Sequence, residues 1–167
     1  MKFTYDDGGR AAAGFKGSAG DCVVRAIAIA SGKPYREVYE ALHVRAKERK
    51  QRTGAGKSTS PRNGVARSVY EHYLMALGFK RVPTMQIGSG CKVHLVAEEL
   101  PKGTLIVRLS KHLTTVIDGV IHDTFNPQRG ATYWYGEGEY AAGKAAHVSP
   151  DRCVYGYYTQ EANQAIR

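Results

Sequence analysis

Cysteine is scarce in this 167-residue chain: Cys22, Cys91 and Cys153 are the only three. An odd number of thiols, widely separated, argues against a disulfide framework and for a reducing compartment. No uninterrupted apolar run approaches the ~20 residues that a membrane helix needs. The opening stretch Met1 to Asp7 has no apolar core of a secretory signal. These absences predict a cytoplasmic chain, neither exported nor embedded in a membrane. Cys91 and His94 form half of a metal pair with no second half at usable spacing, so zinc is not expected. Gly54-Ala55-Gly56-Lys57-Ser58-Thr59 imitates the end of a phosphate-binding loop, but Gln51 stands where the first glycine belongs and a charged helix precedes it. Gly136, Gly138 and Gly143 do not follow a dinucleotide fingerprint. No cofactor is expected, and the chain shows no internal repeat.

With 43% hydrophobic residues, a chain of this length suffices for one domain with a full core. A single domain over residues 1–167 is the expectation. Its net charge of +9 suggests an anionic partner, but the distribution matters more than the total. Between Arg45 and Arg67 eight basic residues face the single acid Glu48, a local charge of +7. The rest of the chain is close to neutral. This segment reads as a solvated face, with an acidic partner or nucleic acid as the functional alternative.

Local patterns divide the chain. Asp21 is a good N-cap, and the apolar run from Cys22 is stopped by Gly32, which predicts a helix over 22–31. Apolar nearly all round, that helix must be buried. Pro34 opens a second helix that fades near Lys50. Val65, Val69, Tyr73 and Leu77 share a face of a third, ended by Gly78, and Lys92 to Leu100 reads as a short fourth. Strands are then expected over 104–109, 112–117, 120–123 and 152–158. Asp118-Gly119 is a two-residue hairpin turn. Helices first and antiparallel strands last make the class α+β. Two irregular segments interrupt the order: a basic loop at 51–63 and a Tyr-rich insertion at 128–151, with Tyr133, Trp134, Tyr135 and Tyr140 among glycines.

The chemistry concentrates at the first helix. Its opening turn presents unsatisfied N–H groups and partial positive charge to Cys22, which stabilises a thiolate. An ordinary thiol is only about 3% ionised at pH 7, so activation alone raises the anion fraction by at most roughly 30-fold. The larger part of any rate must come from placement and an oxyanion site. The hairpin selects a base. With Asp118-Gly119 as its turn, Thr114 faces Asp123 and His112 faces Phe125, which makes His112 and Asp123 diagonal neighbours on one face of the sheet. His122 and Asn126 fall on the other face. Cys22 would be the nucleophile, His112 the base and later acid, and Asp123 the group that orients the imidazole. Taken singly, a buried helix-end cysteine is a small hydrophobe and a strand histidine beside a carboxylate is structural. Their combination, in this order and on these elements, points to catalysis.

Gly20-Asp21-Cys22 opening an apolar helix, Lys111-His112 opening a strand, and His122-Asp123 after Asp-Gly together resemble the papain-like cysteine peptidases. Within that superfamily the chain is most similar to small papain-fold proteins of bacteriophage and bacterial genomes. The resemblance covers about residues 20–126 and is strong over 20–32 and 110–124. It implies a nucleophile helix packed on an antiparallel sheet, a polypeptide substrate cleaved through an acyl-enzyme, and the triad roles given above. For a bacteriophage protein it implies the cytoplasm of an infected host, or association with a virion. Such peptidases commonly carry a glutamine about six residues before the cysteine as an oxyanion donor, and here that position is Lys16. Lys16 and, more weakly, Ser18 are therefore the side-chain candidates, with the Cys22 backbone N–H as the second donor. Asp21 is expected to cap the helix near Val24, since its charge otherwise opposes a thiolate. Two other functions fit the same features: an acyltransferase using the triad, and a non-catalytic papain-fold module that binds nucleic acid or an acidic protein through Arg45–Arg67.

Overall fold

A computed structural model describes residues 1–53, 59–128 and 152–160. Three helices precede most of a six-stranded mixed sheet, so the chain is α+β. Helix α1 (Cys22–Ser31) has the bounds expected of it and buries Val23, Val24, Ala26, Ile27 and Ala28. Gly32 ends it at a φ of 67°, a left-handed conformation that costs glycine little. Helix α2 (Tyr35–Thr53) follows Pro34, whose carbonyl accepts the first-turn N–H of Val38. It buries Tyr35, Val38, Leu42 and Ala46 at helical spacing and leaves Lys47, Glu48 and Lys50 exposed. Much of the basic segment is thus the outer side of α2. Helix α3 (Arg67–Ala76) buries Val69, Tyr70, Tyr73 and Leu74. No helix among the described residues is long and apolar enough to cross a membrane.

The strands are β1 (Lys2–Tyr5), β2 (Lys80–Pro83), β3 (Thr104–Leu109), β4 (His112–Ile117), β5 (Val120–Asp123) and β6 (Gly156–Thr159), in spatial order β1-β5-β4-β3-β6-β2. The β4–β5 hairpin has the predicted register, pairing Thr115 with His122 and Ile117 with Val120. Its turn residues Asp118 and Gly119 both have positive φ, as the predicted turn requires. The expectation of a purely antiparallel sheet is corrected, because β1 pairs parallel to β5. Both outer strands are short and largely exposed, so neither carries the apolar alternation by which strands are read.

Each face of the sheet carries its own core. Ile106, Leu113 and Tyr158 pack with the three helices on one face. Thr115 Oγ1 donates to the Ala26 carbonyl at 2.9 Å, a buried polar tie that fixes α1 on β4. On the other face Leu105, Val107, Val116 and Ile121 pack with Leu95, Leu100, Val154 and Tyr157. Residues 92–100 therefore cover a sheet and are not the fourth helix expected. Their backbone pairs with the segment before β6: Leu95 N–H donates to Arg152 O and Val154 N–H to Val93 O. An antiparallel bridge between His94 and Cys153 completes that pairing. Such long-range pairing outcompetes a weak local helix signal. It also overturns the expected absence of disulfides: Cys91 and Cys153 are bonded, with Cα atoms 5.7 Å apart. Cys153 is accordingly not a plain core thiol. Of the basic loop, 54–58 lie outside the described residues, and so do 129–151 of the Tyr-rich insertion.

Candidate active site

Cys22 begins α1 with its side chain partly buried, and it is the one free thiol of the chain. His112 begins β4, and Asp123 ends β5, the other limb of the hairpin. His112 Nε2 lies 2.7 Å from Asp123 Oδ2, and the two side chains are 9% and 4% exposed. The Thr124 backbone N–H donates to the other carboxylate oxygen at 2.7 Å. With Nε2 so engaged, Nδ1 is the ring nitrogen left for the thiol. The Phe125 ring sits against the imidazole, centroids 4.9 Å apart. The structure thus brings Cys22, His112 and Asp123 together.

Their electrostatics follow from this contact. Burial pushes the Cys22 thiol up, but its hydrogen bond with His112, the Leu113 backbone N–H and the Arg25 charge together bring it below its ordinary value. Burial works against the imidazolium of His112, yet Asp123 and Cys22 outweigh it and push the imidazole up to about 9. Burial likewise opposes ionisation of Asp123, and His112 holds its carboxyl below the ordinary value. All three directions favour a thiolate–imidazolium pair backed by a carboxylate.

Asp21 does not cap α1, contrary to expectation; its side chain makes no cap bond. Only 2% exposed, it lies 2.9 Å from Arg10 Nε and 3.2 Å from Arg25 Nε, and it accepts the Tyr35 hydroxyl. Two guanidinium groups offer a buried carboxylate more than amide donors do, which is why the cap loses. Arg25 also donates to Thr124 Oγ1, so one side chain links Asp21 to the turn that holds Asp123. Nothing in the local sequence signals this convergence of residues 10, 21, 25, 35 and 124.

A cleft of about 650 Å³ opens at the thiol, lined by Cys22, His112, Gly20, Asn63, Tyr70 and Tyr155 among others. Neither Lys16 nor Ser18 lines it; their carbonyls accept from Arg10 and Arg62 instead. Asn63 is the one carboxamide in the lining among the described residues. A Cβ on Gly20 would stand 3.5 Å from the Asn63 backbone, so the lead into α1 runs directly beside this residue. Sequence reasoning missed Asn63, whose only local signal is an Asn-Gly turn pair.

No group of three or more residues suited to a metal occurs among the described residues. No family model, curated protein or solved structure matches the chain.

Proposed function

We propose that the chain is a cysteine peptidase or isopeptidase of papain-like architecture, hydrolysing peptide-type amide bonds through an acyl-enzyme. One observation carries the reading: a free thiol at a helix N-terminus contacts an imidazole held by a buried carboxylate, at the wall of an open cleft. The Cys22 sulfur attacks the scissile carbonyl carbon, and the carbon–oxygen double bond yields its electron pair to the oxygen. As the carbon–nitrogen bond breaks, His112 gives its proton to the leaving amine. A water then attacks the thioester, His112 takes its proton, and the carbon–sulfur bond breaks to release the acid. Asp123 holds the ring in place and supports its positive charge. The Cys22 backbone N–H and the Asn63 carboxamide are the donors this reading assigns to the oxyanion, in place of Lys16 and Ser18.

The test is intact-mass analysis after brief exposure to a neutral peptidyl vinyl sulfone. One adduct on Cys22, lost in His112→Ala, is expected. Absence of any adduct, or equal labelling in His112→Ala, sinks the reading. Hydrolysis is separated from acyl transfer by adding a primary amine to the peptide reaction: a transferase forms the new amide faster than the acid.

A further inference from the structure

Besides His112, the cleft that holds the thiol has four cationic side chains in its lining, Arg25, Arg67, Arg108 and Lys111, and no Asp or Glu among its described residues. Two of the four are already matched. Arg25 is engaged by Asp21 and Thr124, and Arg67 Nε lies 2.9 Å from Glu71 Oε1. The other two have no carboxylate partner among the described residues. The Arg108 guanidinium lies over the Tyr155 ring, 5.4 Å from its centroid, and Lys111 is exposed.

Both stand close to the chemistry. Arg108 pairs across the ladder with Leu113, whose N–H meets the Cys22 sulfur, and Lys111 immediately precedes His112. Lys111 has a φ of 56°, a left-handed conformation that lysine adopts at a cost and that glycine or asparagine would take readily. The turn itself is fixed, since Arg152 donates to the Ser110 carbonyl at 2.7 Å. A cation is therefore held beside the histidine on a backbone that favours another residue type.

Resting on the peptidase reading above, we propose that Arg108 and Lys111 form a cationic subsite selecting substrates with an Asp or Glu side chain next to the scissile bond. Arg108, over the Tyr155 ring, offers its guanidinium to a carboxylate, and Lys111 adds a point charge at the cleft rim. Arg108 is half-buried, so its charge is screened less than that of a surface cation, whereas the exposed Lys111 adds a longer-range, salt-sensitive attraction.

The experiment compares labelling rates of Cys22 by matched peptidyl vinyl sulfones with Glu, Gln or Lys beside the reactive group, each corrected for its rate with free cysteine. Labelling of the wild type by the Gln probe reports the nucleophile alone. If no probe labels Cys22, the peptidase reading fails and takes the subsite with it. With the subsite, the Glu probe reacts about tenfold faster than Gln at low ionic strength, the Lys probe is slowest, and added salt narrows the gap. Within each variant, the Glu-to-Gln ratio drops towards 1 in Arg108→Gln and in Lys111→Asn, the latter suiting the left-handed turn. Equal rates for Glu and Gln in a reactive wild type overturn the subsite while leaving the peptidase reading intact. So does protection of Cys22 by a short oligonucleotide with no Glu preference, which assigns the charge to nucleic acid.

Discussion

Asp123→Asn separates two jobs that the carboxylate performs together. Asparagine keeps the shape of the side chain and an oxygen that can accept from His112 Nε2, so the ring stays oriented, but the negative charge is lost. In the native site the imidazole moves from an ordinary 6.5 to about 9 against the cost of burial, a preference of ~3 kcal/mol for the imidazolium. The hydrogen bond to Asp123 is the largest of the contributions that raise it. Removing the charge should therefore drop the His112 midpoint by more than one pH unit, over ~1.4 kcal/mol. The thiolate then loses its cation, and the acid limb of Cys22 alkylation moves to higher pH. Along that acid limb the iodoacetamide rate at a given pH should fall roughly tenfold, as one unit of displacement requires. The assay is alkylation followed by intact mass from pH 5 to 9, alongside NMR titration of the His112 ring. An unmoved acid limb with an unmoved ring midpoint would refute the coupling between acid, base and thiol.

Three further outcomes test the frame around the site. In Cys22→Ser the thiol's share of the shift is gone but Asp123 still raises the imidazole, so this contribution stabilises the fold fully below about 6.5 and is lost as pH rises through a folded midpoint that lies below the native value of about 9. Urea titrations should show ~1–2 kcal/mol of that loss, abolished in Cys22→Ser/His112→Gln; in the wild type the effect is masked, because the thiol loses the proton that the imidazole keeps. Thr115→Val removes the donor to Ala26 O and should cost about 1 kcal/mol by urea midpoint, while a neutral result would show that packing alone seats α1. Reducing Cys91–Cys153 in a Cys22→Ser background should lower stability by ~2–4 kcal/mol, since the bond closes a loop with a sequence separation of 62. Identical melting with and without reductant would contradict the pairing.

The parts legible in the sequence are those encoded locally. Helix α1 announces itself by an unbroken apolar run ended at Gly32, and the β4–β5 hairpin by Asp118-Gly119, whose register then places His112 near Asp123. Residues 92–100 show the opposite case: they read as a short helix, yet the partners of Val93, Leu95 and Leu100 lie at 152–154 and at the back of β3–β5. The disulfide belongs to the same long-range pairing, because His94 opposite Cys153 is what brings Cys91 within reach. Strand β1 was illegible for another reason. Lys2 to Tyr5 is exposed along its length and is a strand only because β5 offers an unpaired edge.

Asp21 shows how a residue read locally can have the wrong role and still leave the site intact. A carboxylate next to a nucleophilic sulfur would raise the thiol's pKa if its charge stood alone. Here it is sealed between Arg10 and Arg25, and the Tyr35 hydroxyl that donates to it is itself held neutral, its pKa pushed up by burial and by Asp21. Two cations and one anion leave a net positive charge beside Cys22, and Arg25 is among the groups that bring the thiol down. The same guanidinium reaches Thr124, whose N–H holds Asp123. Charge that would oppose the nucleophile is thereby converted into a strut joining the N-terminus of α1 to the far end of the triad. On this account Asp21→Asn should hurt twice, leaving two buried arginines poorly matched at a cost of ~3 kcal/mol and loosening the link to Asp123. A variant that kept native stability and native alkylation kinetics would show that the strut carries no strain between the two ends.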